Sequence, residues 1–352
     1  MYLNIRCFHR KTVCSFTRLV MVVLFCIIGI SSIAQGMQGV NGRKYQLATA
    51  NISGTYYPVG VALATLTKVK LEPDHKLSLT ALSSAGSAEN LLQLSNNEVQ
   101  FAILQGLYGY WAWNGVGPFA SNGPQKHLRS ITMLWQNVEH FAVNSDYVKT
   151  GTISDLLEMQ GKTLSLGDKH SGSAGSGRYI LQSLGLNPES DFHTVHLNYG
   201  DSAAAMQKGD IEVMNIPGGP PVAAVDRVFT ALGKDVTILG FTEQQKAAVN
   251  AEHQLWSSFT IQPNTYPGQD KAVTTIAQPN FLAVRSDVPD EDVYLILKSI
   301  YDNLTFLNNI HPITSVMKMG AAIDGLPIPL HPGAARFYRE HGVEIPDELI
   351  IR

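Results

Sequence analysis

A predicted strand meets a predicted helix at Ala50-Asn51-Ile52-Ser53-Gly54-Thr55-Tyr56-Tyr57-Pro58. Residues 44–49 alternate roughly in polarity, which predicts a short strand, and residues 58–67 have the apolar spacing of a helix. Proline is tolerated only in the first turn of a helix, because its missing N–H is not needed there. Pro58 therefore predicts a helix that starts at Tyr56 or Tyr57.

The turn between this strand and this helix has the composition of an anion site. Thr55 is a candidate N-cap, and Gly54 lets the backbone turn sharply and a ligand come close. Unpaired N–H groups at a helix N-terminus point outward, and the helix dipole favours negative charge. A single turn of this kind can also be no more than a capped connection between a strand and a helix. The interpretation as an anion site therefore depends on whether the pattern recurs along the chain.

The chain repeats this pattern of strand, small-residue turn and helix. Alternation of this kind predicts βαβ units and an α/β fold with a doubly wound sheet. Open α/β sheets bind ligands at the carboxyl ends of their strands, where these turns lie. The candidate turns are residues 53–57, 84–90, 105–106 and 171–173, with Gly218-Gly219-Pro220 as a possible fifth wall.

Residues 1–34 have the layout of a secretory signal peptide. A basic region with Arg6, Arg10, Lys11 and Arg18 precedes an apolar, uncharged run over residues 19–30, and Ser32-Ile33-Ala34 supplies the small residues of a cleavage site. An uncleaved anchor is the alternative, but the run is short for a membrane span of about 20 residues. We expect periplasmic localisation, a disordered tail over residues 35–44, and no membrane insertion after cleavage.

Cysteine usage and charge exclude several classes of protein. Cys7, Cys14 and Cys26 all lie in the predicted leader, so the mature chain can form no disulfide and no thiolate metal site. Removing four basic residues with the leader leaves 22 basic against 29 acidic side chains, a charge of −7. An acidic chain is poorly suited to nucleic acid or to anionic membranes.

Catalytic signatures are missing. The sequence has no Gly-x-Ser-x-Gly, no Gly-x-Gly-x-x-Gly after a strand and no His-Glu-x-x-His. Gly161-Lys162-Thr163 imitates the end of a phosphate-binding loop, but Leu156 stands where that loop requires glycine. We therefore expect no enzyme, no catalytic residue, no cofactor and no metal, although a triad assembled in space stays open.

Four segments resemble one family, the TAXI-type solute-binding proteins of tripartite ATP-independent periplasmic (TRAP) transporters. The matching patterns are Gly-Thr-Tyr-Tyr-Pro-x-Gly at residues 54–60, Ser-x-Glu-Asn-Leu at 87–91, Gly-Lys-x-x-x-x-Gly at 161–167 and Leu-His-Pro-Gly-Ala at 330–334. The resemblance covers nearly all of the mature chain, in order.

The resemblance implies a two-lobed, type II-like periplasmic-binding fold with a hinge between the lobes. Lobe one would take residues 45–138 and 275–352, and lobe two residues 139–274. Crossings near Phe141 and Phe281 would form the hinge. The family delivers small organic acids, including glutamate-like ones, to an integral-membrane permease driven by an ion gradient.

Two departures from the family pattern bear on the ligand. The family often has Gln-Ser-Asp where this chain has Gln105-Gly106-Leu107, so the carboxylate that would pair with an ammonium group is missing. We therefore expect a 2-oxo or hydroxy acid, a hypothesis that tight glutamate binding without 2-oxoglutarate binding would refute. The family's Gly-Ser-Gly-Thr turn aligns with residues 170–173 or, shifted, with 175–177. We prefer the first, because glycines at 175 and 177 weaken a helix's opening turns.

These considerations select the candidate ligand-binding residues. Thr55 and Tyr57 would contact ligand oxygens, Ser87 and Asn90 would be polar partners, and the Gln105 amide can donate or accept. Tyr56 is as much a core candidate as a contact, and Arg178 can pair with a carboxylate or lie on a solvated face. The full set is Thr55, Tyr56, Tyr57, Ser87, Asn90, Gln105, His170, Ser171, Gly172, Ser173 and Arg178.

Two rival functions remain open at this point. An exported enzyme on the same frame would need a nucleophile hydrogen-bonded to a base in its cleft. A sensor would bind the ligand and pass the signal to a partner protein, and the sequence alone does not separate sensing from transport.

Overall fold

The computed structural model describes residues 42–351, and the predicted leader lies outside the described residues. The strands are β1 Arg43–Ala48, β2 Leu77–Leu82, β3 Phe101–Gln105, β4 Leu128–Val138, β5 Phe141–Asn144, β6 Thr163–Ser165, β7 His193–Val195, β8 Val213–Asn215, β9 Val236–Ile238, β10 Ser257–Ile261 and β11 Val273–Arg285. The helices are α1 Tyr56–His75, α2 Ser87–Ser95, α3 Gly106–Asn114, α4 Gly172–Ser183, α5 Pro188–Asp191, α6 Tyr199–Lys208, α7 Ala223–Leu232, α8 Glu243–Val249, α9 Asp290–Asp302, α10 Leu304–Ile310 and α11 Pro332–Glu340.

The strands form two mixed sheets. The first sheet has the order β10-β11-β3-β1-β2, with β4 paired to β11; β1 is parallel to β2 and β3, whereas β11 is antiparallel to its three neighbours. The second sheet has the order β7-β6-β8-β5-β9, with β6 parallel to β7 and β8, and β5 antiparallel to β8 and β9.

The chain crosses between the sheets at Glu139 and His140, which separate β4 from β5. The return to the first sheet was expected near Phe281. Phe281 lies inside β11, paired with Leu104 of β3, and the chain has already rejoined the first sheet at β10. A 13-residue strand that pairs with three neighbours holds its centre in the first sheet. The segment 257–261, within the range predicted for lobe two, thus extends the first sheet.

Helix α1 begins at Tyr56, which confirms the start predicted from Pro58. Thr55 occupies the N-cap position, but its backbone is already helical and its side chain makes no capping hydrogen bond. Strand β1 begins at Arg43, so residues 43 and 44, predicted as part of a disordered tail, belong to a strand; residues 35–41 lie outside the described residues. No helix within residues 42–351 is both long and apolar enough to cross a membrane.

The cores are built from large apolar side chains on the faces of the sheets. Trp135, Phe101 and Phe281 are fully buried in the core around the first sheet. A smaller cluster, which includes Met214 and Val225, lies between the second sheet and helix α7. These cores hold the strand ends rigidly, and the turns after the strands are where a ligand can bind.

Candidate ligand-binding site

A cavity lies where turns that follow strands of both sheets meet. It is lined by Ala50, Asn51, Gly54, Thr55, Tyr56, Ala85, Gly86, Ser87, Gln105, Asp168, Ser171, Gly172, Ser173, Asn198, Tyr199, Pro217 and Gly218. Its volume is about 40 Å³, compared with roughly 10–15 Å³ for a single water on the same measure. In this conformation the cavity suits only a compact ligand.

Five helix N-termini point at this cavity. Helices α1, α2, α3, α4 and α6 each contribute a first or capping residue to its lining, so their unpaired N–H groups and positive dipole ends converge there. Among the described lining residues none is Lys, Arg or His, and Asp168 carries the one formal charge. Backbone dipoles therefore provide most of the attraction for an anion.

The wall from the first sheet is held by buried polar side chains. The Ser87 hydroxyl accepts a hydrogen bond from the Gln105 backbone N–H at 3.0 Å, which ties the starts of α2 and α3 together. Asn90 donates to the carbonyls of Thr49 and Ile103 at 2.7 and 2.9 Å. Gln105 is only 3% exposed, and its Oε1 has no hydrogen-bond partner among the described residues. Its amide is thus available to a ligand.

The wall from the second sheet is the start of α4. Ser171 caps this helix: its hydroxyl accepts from the Ala174 N–H at 3.1 Å and donates to the Asp168 carbonyl at 2.6 Å. The Ser173 hydroxyl lies 2.8 Å from that of Ser171. Both hydroxyls are committed to local structure, and the backbone N–H groups of residues 172 and 173 remain free for an anion.

Two tyrosines flank the cavity, one on each side. The Tyr56 hydroxyl donates to Asn280 Oδ1 at 2.5 Å, and the Tyr199 hydroxyl donates to the Pro217 carbonyl at 2.7 Å. Burial raises the pKa of both phenols well above the usual value, so both stay neutral donors. Within residues 42–351, no group of three or more His, Cys, Asp or Glu side chains is arranged to hold a metal ion.

The two walls touch each other directly. Gly86 adopts a φ of 126°, and a Cβ at this position would lie 3.3 Å from the backbone nitrogen of Gly172. The Glu89 N–H donates to the His170 carbonyl at 3.3 Å, and the Tyr108 hydroxyl donates to the Ser171 carbonyl at 3.4 Å. The structure is therefore a closed form in which the sheets approach each other across the cavity.

The structure brings most of the predicted residues to this cavity. Thr55, Tyr56, Ser87, Gln105, Ser171, Gly172 and Ser173 all line it. Asn90 lies behind the wall, Tyr57 is half-buried outside the lining, and His170 is exposed. Arg178 pairs with Glu189 at 2.6 Å and so points away from the cavity.

Sequence reasoning missed four polar residues of the lining: Asn51, Asp168, Asn198 and Tyr199. Asn198 caps α6, and Tyr199 is the first residue of that helix, after strand β7. This is the same strand, turn and helix signal as at the other turns, so it could have been found. Asp168 follows strand β6 and precedes the serine turn, and its type and spacing carry no signal that distinguishes it from an exposed turn carboxylate.

The structure explains why the opening turns of α4 contain glycine although glycine weakens a helix. Gly175 and Gly177 do lie in the opening turns of the helix, which begins at Gly172 as the preferred alignment implies. A Cβ at Gly175 would overlap the Tyr108 hydroxyl, and one at Gly177 would lie 2.9 Å from Leu166. Close packing thus offsets the low helix propensity of glycine.

Comparison with known proteins places the chain in a family and a fold. The sequence profile of the NMT1-like family matches residues 47–342. A solved structure from Bordetella bronchiseptica RB50 is similar with a TM-score of 0.51 at 12% identity, and the match covers 88% of this chain and 92% of that one. The two mixed sheets form a type II periplasmic-binding-protein-like fold, so the predicted fold class is confirmed.

Two further similar structures are those of solute-binding proteins. The periplasmic aliphatic sulphonate binding protein SsuA from Escherichia coli has a TM-score of 0.42 at 13% identity, covering 87% of this chain and 90% of that one. A TctC solute binding protein from Polaromonas has a TM-score of 0.45 at 15% identity, covering 86% of this chain and 96% of that one.

Proposed function

The chain belongs to the NMT1-like family, and from this premise we propose that it is an extracytoplasmic solute-binding receptor for a small organic acid. The receptor captures the acid in the cavity between the two sheets and delivers it to an integral-membrane TRAP permease. The predicted signal peptide supports a periplasmic location.

One observation carries this proposal: the N-termini of α1, α2, α3, α4 and α6 converge on one cavity. Each N-terminus offers unpaired N–H groups and the positive end of a dipole. Five of them can hold a carboxylate without a lysine or arginine. Each sheet contributes one wall of the cavity. A ligand that contacts both walls therefore stabilises the closed form.

The choice between a 2-oxo or hydroxy acid and a glutamate-like acid depends on Asp168. The expectation of a ligand without an amino group rested on a missing carboxylate after β3. Asp168 lines the same cavity from the other wall and can pair with an ammonium group. Both ligand classes therefore belong to the proposal.

The TRAP permease as partner is supported by the position of the family patterns. Residues of two of them, Thr55 and Ser87, line the cavity. A role in signalling would use the same cavity. A permease gene next to this gene would favour transport, and a sensor gene would favour signalling.

A thermal-shift screen tests the proposed ligand class. The panel contains 2-oxoglutarate, pyruvate, lactate, succinate and glutamate, with the corresponding amides as neutral controls. Because a ligand that binds only the folded state at 100 times its Kd stabilises it by about 2.7 kcal/mol, a clear rise in Tm is expected for at least one acid and for none of the amides.

Two variants locate the binding site. Ser173→Leu fills the cavity and should abolish the shift, whereas Arg178→Ala, which removes only the contact with Glu189, should leave it unchanged. No response to any acid, or a response that Arg178→Ala removes and Ser173→Leu retains, would refute the proposed site.

A further inference from the structure

A carboxyl group lies buried at the crossing between the two sheets, directly behind the cavity. Glu139 is 0% exposed and belongs to the two-residue crossing between β4 and β5. Its backbone N–H donates to the Ile276 carbonyl, and its carbonyl accepts from the Thr275 hydroxyl at 3.0 Å. The backbone of Glu139 is thereby fixed to β11, while its side chain meets the second sheet.

The partners of this carboxyl come from both sheets. Asn215, the last residue of β8, donates to Glu139 Oε2 at 2.8 Å. Glu139 Oε1 and Asn215 Oδ1 have no partner among the described residues, and neither have the nearby donors Gln278 Nε2 and Trp256 Nε1. Four buried polar atoms with open bonding capacity around one carboxyl require an explanation.

The two protonation states of Glu139 would use these atoms differently. A neutral carboxyl can donate to Asn215 Oδ1 while accepting from its amide, which completes a pair with the second sheet. An ionised carboxylate needs donors instead, and Gln278 on β11 is one that the first sheet provides. Glu139 can therefore take up a proton if its hydrogen bonding changes from the donor Gln278 to the acceptor Asn215 Oδ1.

Among residues 42–351, no charged side chain pairs with Glu139. Burial raises its pKa to about 7, although the bond from Asn215 and the nearby polar groups of Gln278, Ser176 and Trp256 favour the ionised form. The titratable groups that face it or adjoin it are Tyr56 on α1, Tyr199 on α6 and His140 in the crossing. Both tyrosines stay neutral, and burial lowers the pKa of His140 to about 4, so this imidazole is neutral at pH 7 as well.

The carboxyl is close enough to sense charge in the cavity. The charge of Glu139 acts on Tyr56 and on Tyr199, which both line the cavity. Ser176, whose hydroxyl lowers the pKa of Glu139, donates to the carbonyl of the lining residue Ser173 one helical turn earlier on α4. An anion in the cavity would repel an ionised Glu139 through a dry interior, where charges are weakly screened.

We propose that the cavity takes up its organic anion together with one proton, which Glu139 holds. The inference rests on the proposed function, because it needs an anion in the cavity. Protonation of Glu139 removes the buried negative charge behind the site, so anion binding and proton uptake favour each other. Above the midpoint of the Glu139 titration, affinity then falls by up to about tenfold per pH unit.

Calorimetry in two buffers measures how many protons the protein takes up when the ligand binds. Binding of 2-oxoglutarate or glutamate, whichever gives the larger thermal shift, is titrated at pH 8 in triethanolamine and in Tris, two cationic buffers whose ionisation enthalpies differ. The wild type should take up close to one proton, and its Kd should rise between pH 7 and pH 9. Glu139→Gln keeps the shape of the neutral side chain and should bind with no proton uptake and a flat pH profile.

Three further measurements make the outcome decisive. Glu98→Gln changes an exposed glutamate, and His170→Gln removes the imidazole nearest the cavity turn; both should keep the uptake. In ligand-free protein with ¹³C-labelled glutamate, the carboxyl signal that Glu139→Gln removes should titrate well above the pH at which the other glutamates titrate, because Glu139 is buried. Proton uptake that survives in Glu139→Gln, or is zero in the wild type, would overturn the inference.

The ligand-free titration separates this inference from the proposed function. If neither acid binds, the ligand class has failed, and a Glu139 signal that titrates near pH 7 still supports the proton site. A signal that titrates near the usual glutamate pKa overturns the inference even where an acid binds tightly.

Discussion

At the scale of single residues, Gln105 is the side chain whose substitution best distinguishes an effect on ligand affinity from an effect on stability. It lies at the N-cap position of α3, almost fully buried, and Gly172 of the opposite wall is close enough that a Cβ there would approach its amide to 2.8 Å. Its Oε1 has no hydrogen-bond partner among the described residues. A buried polar atom without a partner reduces stability unless a ligand satisfies it.

Gln105→Leu should therefore weaken binding without unfolding the protein. The change keeps the side-chain volume and removes an unsatisfied amide, so the free energy of unfolding should change by less than about 1.5 kcal/mol. Loss of a hydrogen bond to a charged ligand group should raise Kd by about tenfold or more. Urea unfolding and calorimetry with the bound acid measure the two effects. Reduced stability with unchanged Kd would assign Gln105 a purely structural role.

At the scale of elements, helix α4 is shaped to approach the first sheet closely. Its opening turns carry Gly172, Gly175 and Gly177, and no other residue type would fit at the middle position against Tyr108. Tyr108 belongs to α3, so this contact joins the two sheets. Gly177 instead packs against Leu166 and Asn215, which both belong to the second-sheet side. Gly175 therefore packs at the contact between the two sheets, whereas Gly177 packs on the second-sheet side alone. Substitutions at the two positions can be compared as test and control.

Gly175→Ala should hold the cavity open, whereas Gly177→Ala should only strain the packing around α4. Overpacking costs about 1–3 kcal/mol. For Gly175→Ala we expect this cost to appear as weaker ligand binding, about 10- to 100-fold in Kd. For Gly177→Ala it should appear mainly as a lower free energy of unfolding. Calorimetry and urea unfolding of both variants compare the two. Equal effects on Kd would contradict the assignment of Tyr108 and Gly175 as a closure contact.

At the scale of the whole molecule, an aromatic cluster joins the two sheets beside the cavity. Tyr179 on α4 packs edge-on against Trp111 of α3 with ring centroids 5.9 Å apart, and it stacks on Trp256 at 5.3 Å. Tyr110 of α3 contacts His253 at 4.5 Å. Aromatic pairs contribute about 0.5–1.5 kcal/mol each beyond their buried area. The cluster therefore favours the closed form even without ligand.

Tyr179→Ala should shift the ligand-free protein toward an open form. Small-angle scattering should give a larger radius of gyration, and stopped-flow measurements should give faster ligand release, because fewer contacts hold the sheets together. Tyr294→Ala is the control: this tyrosine packs on Phe337 of α11, away from the cavity. An unchanged radius and release rate in Tyr179→Ala would show that the cluster does not govern closure.

Local sequence predicted the parts of the site that depend on neighbours along the chain. Pro58 set the start of α1, and the serine and glycine turns marked the starts of α2 and α4. Arg178 illustrates the limit: its position near a candidate turn was correct, but Glu189, eleven residues later, draws its side chain away. The direction of a long side chain depends on partners that spacing alone does not identify.

The sequence by itself determined the α/β class and the starts of several helices, because proline, glycine and capping residues act within one or two turns of backbone. Only the tertiary structure decided which turns face one another, that Asp168 and Tyr199 join them, and that Glu139 lies buried behind them. These features depend on strand pairings such as that of β11 with β3. Such long-range pairing arises from burial of the whole core and leaves no local signal at the residues it brings together.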